Sequence, residues 1–324
     1  MLAIREPREV AIRWSSITTA PCSVISESSP RPTTPRYPQR ELSSFGNDYD
    51  ENILQLIHAH LEVDAHHTVA YVGHMRGNLV EKMEKHFCLL TPITVLYPGG
   101  VTYKDIAENS RRLALKISQT PAEDFFASAS GNSPEQKRKF DRIFINNSVQ
   151  NLNDFELTFT RMRKCLEESG KIMILHRPTS ITTLPYFNKA REILGNIEIP
   201  FMEIITALQK TGCDVRWDLE HVPLVLEKIK WIALLRNRFP TELEILSDNE
   251  IEDGVRELLN GTLNYLTPVM ELEDRLILIT GTPPDKPGTY PAVQRIVSRP
   301  QLPYSELLDL EYTLTLTNPM KRFL

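Results

Sequence analysis

The chain has 324 residues, 41% of them hydrophobic and 24% charged, with a formal net charge of -5 and an isoelectric point near 6.0. These values suit a globular protein with a large core and exclude the basic balance that a broad grip on nucleic acid requires. The four cysteines, Cys22, Cys88, Cys165 and Cys213, form no CxxC pair, which argues against a disulfide scaffold or a zinc site and for a reducing, cytoplasmic compartment.

No apolar run reaches the roughly 20 residues needed to cross a bilayer. Residues 1–44 are rich in Ser, Thr, Pro and Arg, centred on Ser28-Ser29-Pro30-Arg31-Pro32-Thr33-Thr34-Pro35. Such a stretch buries too little apolar surface to offset its ordering entropy, so a disordered arm is expected. Ser29-Pro30 and Thr34-Pro35 are candidate phosphorylation sites within what otherwise reads as a spacer.

Order is expected from about Asp48. Residues 52–61 place apolar side chains at helical spacing, with Asp48 or Asp50 as N-cap. Thr68-Val69-Ala70-Tyr71-Val72 reads as a strand ending at Gly73, and a helix follows over 77–86. A second strand, Ile93 to Tyr97, stops at Pro98-Gly99-Gly100. A helix over 103–115 leads to a weak strand near 116–118. Asp141 to Asn146 is the clearest strand. A helix over 154–168, closed by Gly170, precedes the strand Lys171 to Leu175. A helix over 199–210, ended by Gly212, leads to a strand over 214–220, and Arg275 to Thr280 is the last strand. Cys88 and Cys165 fall in apolar contexts and read as small hydrophobes.

Strands alternating with helices call for an α/β domain over 45–282: a mostly parallel seven-stranded sheet with helices on both faces. Helical stretches at 224–239 and 248–263 form an insertion, about 223–264, before the last strand, positioned to act as a lid. Residues 283–324 form a Pro-rich extension in which 305–316 has strand character.

Several segments, in order, resemble a known family. Val69-Ala70-Tyr71-Val72-Gly73-His74-Met75-Arg76-Gly77 stands where class I S-adenosylmethionine-dependent methyltransferases carry hydrophobic-Asp-hydrophobic-Gly-x-Gly-x-Gly. Pro121-Ala122-Glu123-Asp124-Phe125 is similar to their Asp-Ala-Glu-Asp-Leu, and Phe140 to Leu152 resembles their fourth motif. Met162 to Ile172 resembles the helix-Gly-Gly-strand element, while Lys230 to Glu250 resembles the lid of small-molecule enzymes of the trans-aconitate type. The match runs from about Ser44 to Thr282.

The resemblance implies a Rossmann-like methyltransferase fold, S-adenosylmethionine as cofactor and a small-molecule methyl acceptor. The alternative is an inactive fold serving as a binding or regulatory module, with a protein partner. A pyridine-dinucleotide oxidoreductase is the weakest of the three, because the glycine fingerprint is incomplete and no acid ends the second strand. By matched position, the cofactor-contacting candidates are Gly73, His74, Gly77, Tyr97, Glu123, Asp124, Asn146 and Asn147. No catalytic residue is assigned, since proximity and in-line alignment can suffice for methyl transfer.

The same matching exposes what is missing. Tyr71, Tyr97 and Pro121 occupy the places of three anchoring carboxylates, and each charged partner lost costs about 1.5–3 kcal/mol. Met75 takes the place of the middle glycine, where its side chain is expected to obstruct the pocket. Gln150 stands where relatives often carry His. His176, after the fifth strand, reads as a structural histidine or a base, and Trp217 and Trp231 read as core or pocket walls.

Overall fold

A computed structural model describes residues 37, 41–74, 79–98, 116–131 and 138–284. Nearly all of the expected N-terminal arm, the helix expected at 103–115, and Met75, Arg76 and Gly77 lie outside the described residues, as does the extension beyond 284.

The helix α1 (Asn47–Leu61) buries Tyr49, Ile53, Leu54, Ile57 and Leu61, one stripe at helical spacing. Its N-cap is Gly46; Asp48 and Asp50, expected as caps, lie in the first turn instead, where their charge favours the helix dipole. Ahead of α1, Glu41–Ser43 forms a short 3-10 turn, and Ser44 Oγ donates to Asp50 at 2.6 Å.

The strands are β1 (Val69–Val72), β2 (Thr94–Tyr97), β3 (Lys116–Pro121), β4 (Phe140–Asn146), β5 (Leu166–His176), β6 (Asp214–Glu227) and β7 (Val269–Thr282). They form one sheet in the order β3-β2-β1-β4-β5-β7-β6. Strands β3, β2, β1, β4 and β5 are parallel, and β7 runs antiparallel to both β5 and β6.

The apolar pattern accounts for this arrangement. β1 and β2 are buried at every position, as central parallel strands covered on both faces must be. Side chains alternate through the sheet: Tyr71, Val95 and Phe144 join the core under α1, while Ala70, Val72, Ile143 and Ile145 join the core on the opposite face. That second core is covered by α3 (Ala122–Ala129), α4 (Phe155–Lys164) and α6 (Phe201–Lys210). The first is covered by α1, α2 (Leu79–His86), α5 (Asn188–Ile197) and the insertion helices α7 (Lys228–Arg236) and α8 (Asp248–Asn260).

Several boundaries differ from the sequence reading. The helix expected to 168 ends at Lys164, and β5 begins two residues later, because Leu166 already pairs with Phe140. Gly170 therefore sits inside a strand, where an added Cβ would lie 3.0 Å from the Glu167 carbonyl and 3.2 Å from that of Asp141. Gly212 does end its helix, at φ 81°. β6 runs on to Glu227, since Val222, Leu224 and Leu226 alternate buried with exposed neighbours; the helix expected from 224 starts at Lys228. α5 had no counterpart in the sequence reading. Cys165 is buried as expected, but Cys88 is exposed.

The core polar cluster lies at one edge of the sheet. Arg177, immediately after β5, donates from Nε and Nη2 to Asp274 of β7 at 2.8–3.1 Å. Tyr49 of α1 donates to the same carboxylate at 2.6 Å and accepts from Arg177 at 3.0 Å. Asp274 is fully buried. Burial lowers the Arg177 pKa, but Asp274 more than offsets this and holds it well above the ordinary value.

Two stability predictions follow from this packing. Asp274→Asn leaves the buried guanidinium uncompensated and is expected to cost about 3–5 kcal/mol in urea unfolding. A Cβ at Gly254 of α8 would lie 2.4 Å from the fully buried Phe187 ring. Gly254→Ala is therefore expected to destabilise by about 1–3 kcal/mol despite alanine's helix propensity, because overpacking a closed core outweighs it.

Candidate functional site

Because β1, β4 and β5 are parallel, their carboxyl ends share one edge, and β1 lies where the strand order reverses. Open α/β sheets bind ligands in the crevice at such a point. Gly73 and His74 follow β1, Asn146 ends β4, and Arg177 follows β5. The antiparallel direction of β7 brings Asp274 to the same edge, since His176 pairs with Ile277 and β7 begins beyond it.

Two clefts open here. The first, about 780 Å³ and open to solvent, is lined by Tyr49, His74, Asn146, Asn147, Arg177 and Glu242 among others. The second, about 440 Å³, is lined by His176, Tyr186, Glu198 and Gln150, with Pro178, Leu194 and Ile197 as apolar walls. They share Asn147, Arg177, Pro240 and Glu242. Glu242 comes from the insertion, in the short 3-10 turn Thr241–Ile245.

The sequence candidates separate into groups. His74, Asn146 and Asn147 line the first cleft together. Gly73 adjoins them, and its smallness has a local cause. The Tyr71 side chain folds against the turn, so a Cβ on Gly73 would lie 2.9 Å from the Tyr71 hydroxyl. That hydroxyl donates to the His74 carbonyl and accepts from Asn146 Nδ2, both at 3.0 Å. Burial pushes the Tyr71 pKa up to about 12. A tyrosine in the place of the acid thus serves as a neutral brace between β1 and β4.

Tyr97 is 3% exposed within the core and lines neither cleft. Glu123 accepts from the Asp154 amide and the Asn153 side chain at 2.9 and 2.8 Å, ahead of α4. Asp124 is exposed on α3. Gly77 lies outside the described residues, as does Met75, the side chain expected to obstruct the pocket.

Asn147 holds the wall between the clefts. It adopts φ 40°, a left-handed conformation that asparagine tolerates better than most residues. Its amide donates to the Leu175 carbonyl and its Oδ1 accepts from the Arg177 amide. Its Nδ2 and Gln150 Nε2 both donate to Glu242 Oε1, at 3.2 and 2.8 Å. Glu242 Oε2 is buried without a hydrogen-bond partner, and burial raises the carboxyl pKa.

His176 and Tyr186 behave alike. Both are about 97% or more buried, and neither ring nitrogen of His176 nor the Tyr186 hydroxyl has a hydrogen-bond partner. His176 Nε2 lies 3.8 Å from Glu198 Oε1. Burial pushes Glu198 up, but the His176 ring and the Thr179 amide outweigh it and hold its pKa below the usual carboxylate value. Burial also raises the Tyr186 pKa. Trp231 is core, its indole donating to the Pro185 carbonyl, while Trp217 is half exposed on β6.

Glu242, Glu198, Tyr186, Arg177 and Asp274 escaped the sequence reading. Thr241–Ile245 is a 3-10 turn with a period of three, so the polar–apolar alternation of Thr241-Glu242-Leu243-Glu244-Ile245 does not mark which side chain turns inward.

No family model matches the chain, and no curated protein matches it in sequence. Solved structures do match. A protein of Anabaena variabilis assigned as a methyltransferase of an antibiotic biosynthesis pathway superposes with a TM-score of 0.51 at 16% identity, over 75% of this chain and 99% of that one. The phosphoethanolamine N-methyltransferase 2 of Haemonchus contortus, solved with S-adenosylhomocysteine, has a TM-score of 0.45 at 16% identity, over 72% of this chain and 53% of that one. A cyclopropane synthase of Mycobacterium tuberculosis has a TM-score of 0.44 at 12% identity, over 78% of this chain and 99% of that one. No described helix is long and apolar enough to cross a membrane. The strand order, with its antiparallel β7 between β5 and β6, together with the Anabaena superposition, gives this chain the Rossmann-like fold of the class I S-adenosylmethionine-dependent methyltransferases.

Proposed function

We propose that this chain is a divergent S-adenosylmethionine-dependent methyltransferase whose acceptor is a small molecule. The observation that carries the reading is the pair of adjoining clefts at the carboxyl edge of β1, β4 and β5, divided by Asn147 and Glu242. One cleft suits a donor and the other an acceptor. The cofactor, when bound, supplies a methyl group on a sulfonium. His74, Asn146 and Asn147 would hold its methionine end, with Gly73 allowing close backbone approach.

The fit is good at that end and poor at the other. The polar lining of the first cleft suits an amino-acid-like group. At the ribose end, Tyr97 lies inside the core and Pro121 offers no side-chain acceptor. Binding then rests on the remaining contacts, weakened by about 1.5–3 kcal/mol for each missing charged partner.

That deficit favours a second reading, an inactive fold that binds a small molecule or a protein partner. Its supporting observation is the Tyr71 brace, which turns the acid's position into a structural one.

Calorimetric titration of the full chain with S-adenosylmethionine and S-adenosylhomocysteine separates the two. The first reading expects saturable binding at a Kd of about 0.1 mM, tighter if uncounted contacts help. An absence of heat at millimolar ligand, with the chain folded by circular dichroism, would hand the case to the second.

Glu242 supplies an independent test. A carboxylate whose pKa is raised by burial favours its protonated form in the folded state, so its charge opposes folding above that pKa. The opposition fades as pH falls through the raised pKa and ends below the ordinary value of 4.5. Glu242→Gln is therefore expected to stabilise the protein by about 1 kcal/mol near pH 7.5. Measured pH by pH against the unsubstituted protein, that gain should shrink on acidification; a gain that stays constant with pH would refute a buried charge.

A further inference from the structure

We propose that the second cleft binds a small organic amine, with its nitrogen at Glu242 and its alkyl part along Pro178, Leu194, Ile197 and Pro240. Amine binding at this site does not depend on the methyl-donor reading; only the identification of that amine as the acceptor does.

Polar satisfaction comes first. Buried polar groups are nearly always hydrogen-bonded, and an orphan costs free energy that folding alone does not recover. In this cleft four buried atoms lack partners: Nδ1 and Nε2 of His176, the Tyr186 hydroxyl and Glu242 Oε2. All belong to side chains on one cavity, carried by three separate segments: the end of β5, the stretch before α5, and the insertion. Chance misfit at one residue would not gather them around a common space. A ligand nitrogen that donates to Glu242 Oε2 and reaches the Tyr186 hydroxyl and one ring nitrogen of His176 would satisfy three of them at once, while Glu198 lies 3.8 Å from His176 Nε2.

Charge then selects the ligand. The charged or chargeable groups on this cleft are His176, Arg177, Glu198 and Glu242. Arg177 is neutralised by Asp274, which takes its Nε and Nη2 donors. Glu198 faces His176 and accepts from the Thr179 amide at 2.7 Å. Glu242 is left with one bonded oxygen and one bare one. A carboxylate or phosphate would meet two acids and no free cation among the described residues on the cleft. An ammonium or amine meets an acceptor short of a donor. The apolar walls provide for a short alkyl chain.

The partition at Glu242 adds position. The residue lines both clefts, so a nitrogen held there sits at the boundary of the first cleft.

The test uses three probes of equal length, n-butylamine hydrochloride, 1-butanol and sodium butyrate, titrated into the full chain and followed by NMR. The amine should saturate, at about millimolar Kd for so small a probe, with butyrate at least about tenfold weaker. Glu242→Gln should weaken the amine about tenfold and leave 1-butanol unchanged. Tyr186→Phe, which removes only a hydroxyl, should weaken the amine about threefold, and Glu252→Gln on the outer face of α8 should change nothing. Equal affinity for amine and butyrate, no saturable amine binding, or an amine affinity indifferent to Glu242→Gln in a folded protein would overturn the proposal. The S-adenosylhomocysteine titration keeps the two readings apart. Amine binding without S-adenosylhomocysteine binding sustains the amine site and removes the donor reading; the converse removes the amine site alone.

Discussion

The site depends on the ion pair between Arg177 and Asp274, closed by the Tyr49 hydroxyl. Three segments meet there: the end of β5, the antiparallel β7 and the first turn of α1. A buried guanidinium is tolerable only with its carboxylate in place, so the three segments are held at the edge where the clefts open. The pair also sets the local electrostatics. With Arg177 already neutralised, the acids Glu198 and Glu242 define the sign of the second cleft. A free arginine in that wall would have made it an anion site; a paired one makes it acidic.

Tyr71 and Tyr97 are internal, and Tyr71 uses its hydroxyl to tie the His74 carbonyl to Asn146. The glycine at 73 is needed for that tyrosine, whatever ligand lies above it. Buried polar atoms without a hydrogen-bond partner gather beside the insertion, at His176, Tyr186 and Glu242. Stability and function pull apart at these three, since each would rest more easily as an apolar residue of similar shape.

Much of the fold was legible because its signal is local. Val69 to Val72, Val95 to Tyr97 and Ile143 to Ile145 are continuous apolar runs, which parallel strands covered on both faces require. α1 and α8 carry their apolar stripes in the open, and α8 also its start signal, the Ser247–Glu250 capping box. Errors fell where two periods overlap. Val222, Leu224 and Leu226 alternate as a strand does, yet Leu224 and Leu226 adjoin a helix and were read with it. Leu166 to Gly170 looked like a helix end, until pairing with Phe140 drew it into β5.

The sequence alone determined the alternation of strands and helices, the two-sided burial of the central sheet and the place of the insertion. Each is a property of neighbouring residues or of ordered motifs. Only the tertiary structure decided which polar side chains face a common space. Glu242 meets Asn147 and Gln150 across about 90 residues of chain, and Asp274 meets Tyr49 across 225. Such pairings arise from strand direction and from the way the insertion packs back on the sheet, and no local pattern encodes them. The burial of Glu242 Oε2, the His176 ring nitrogens and the Tyr186 hydroxyl is likewise a property of the cavity, not of their place in the chain.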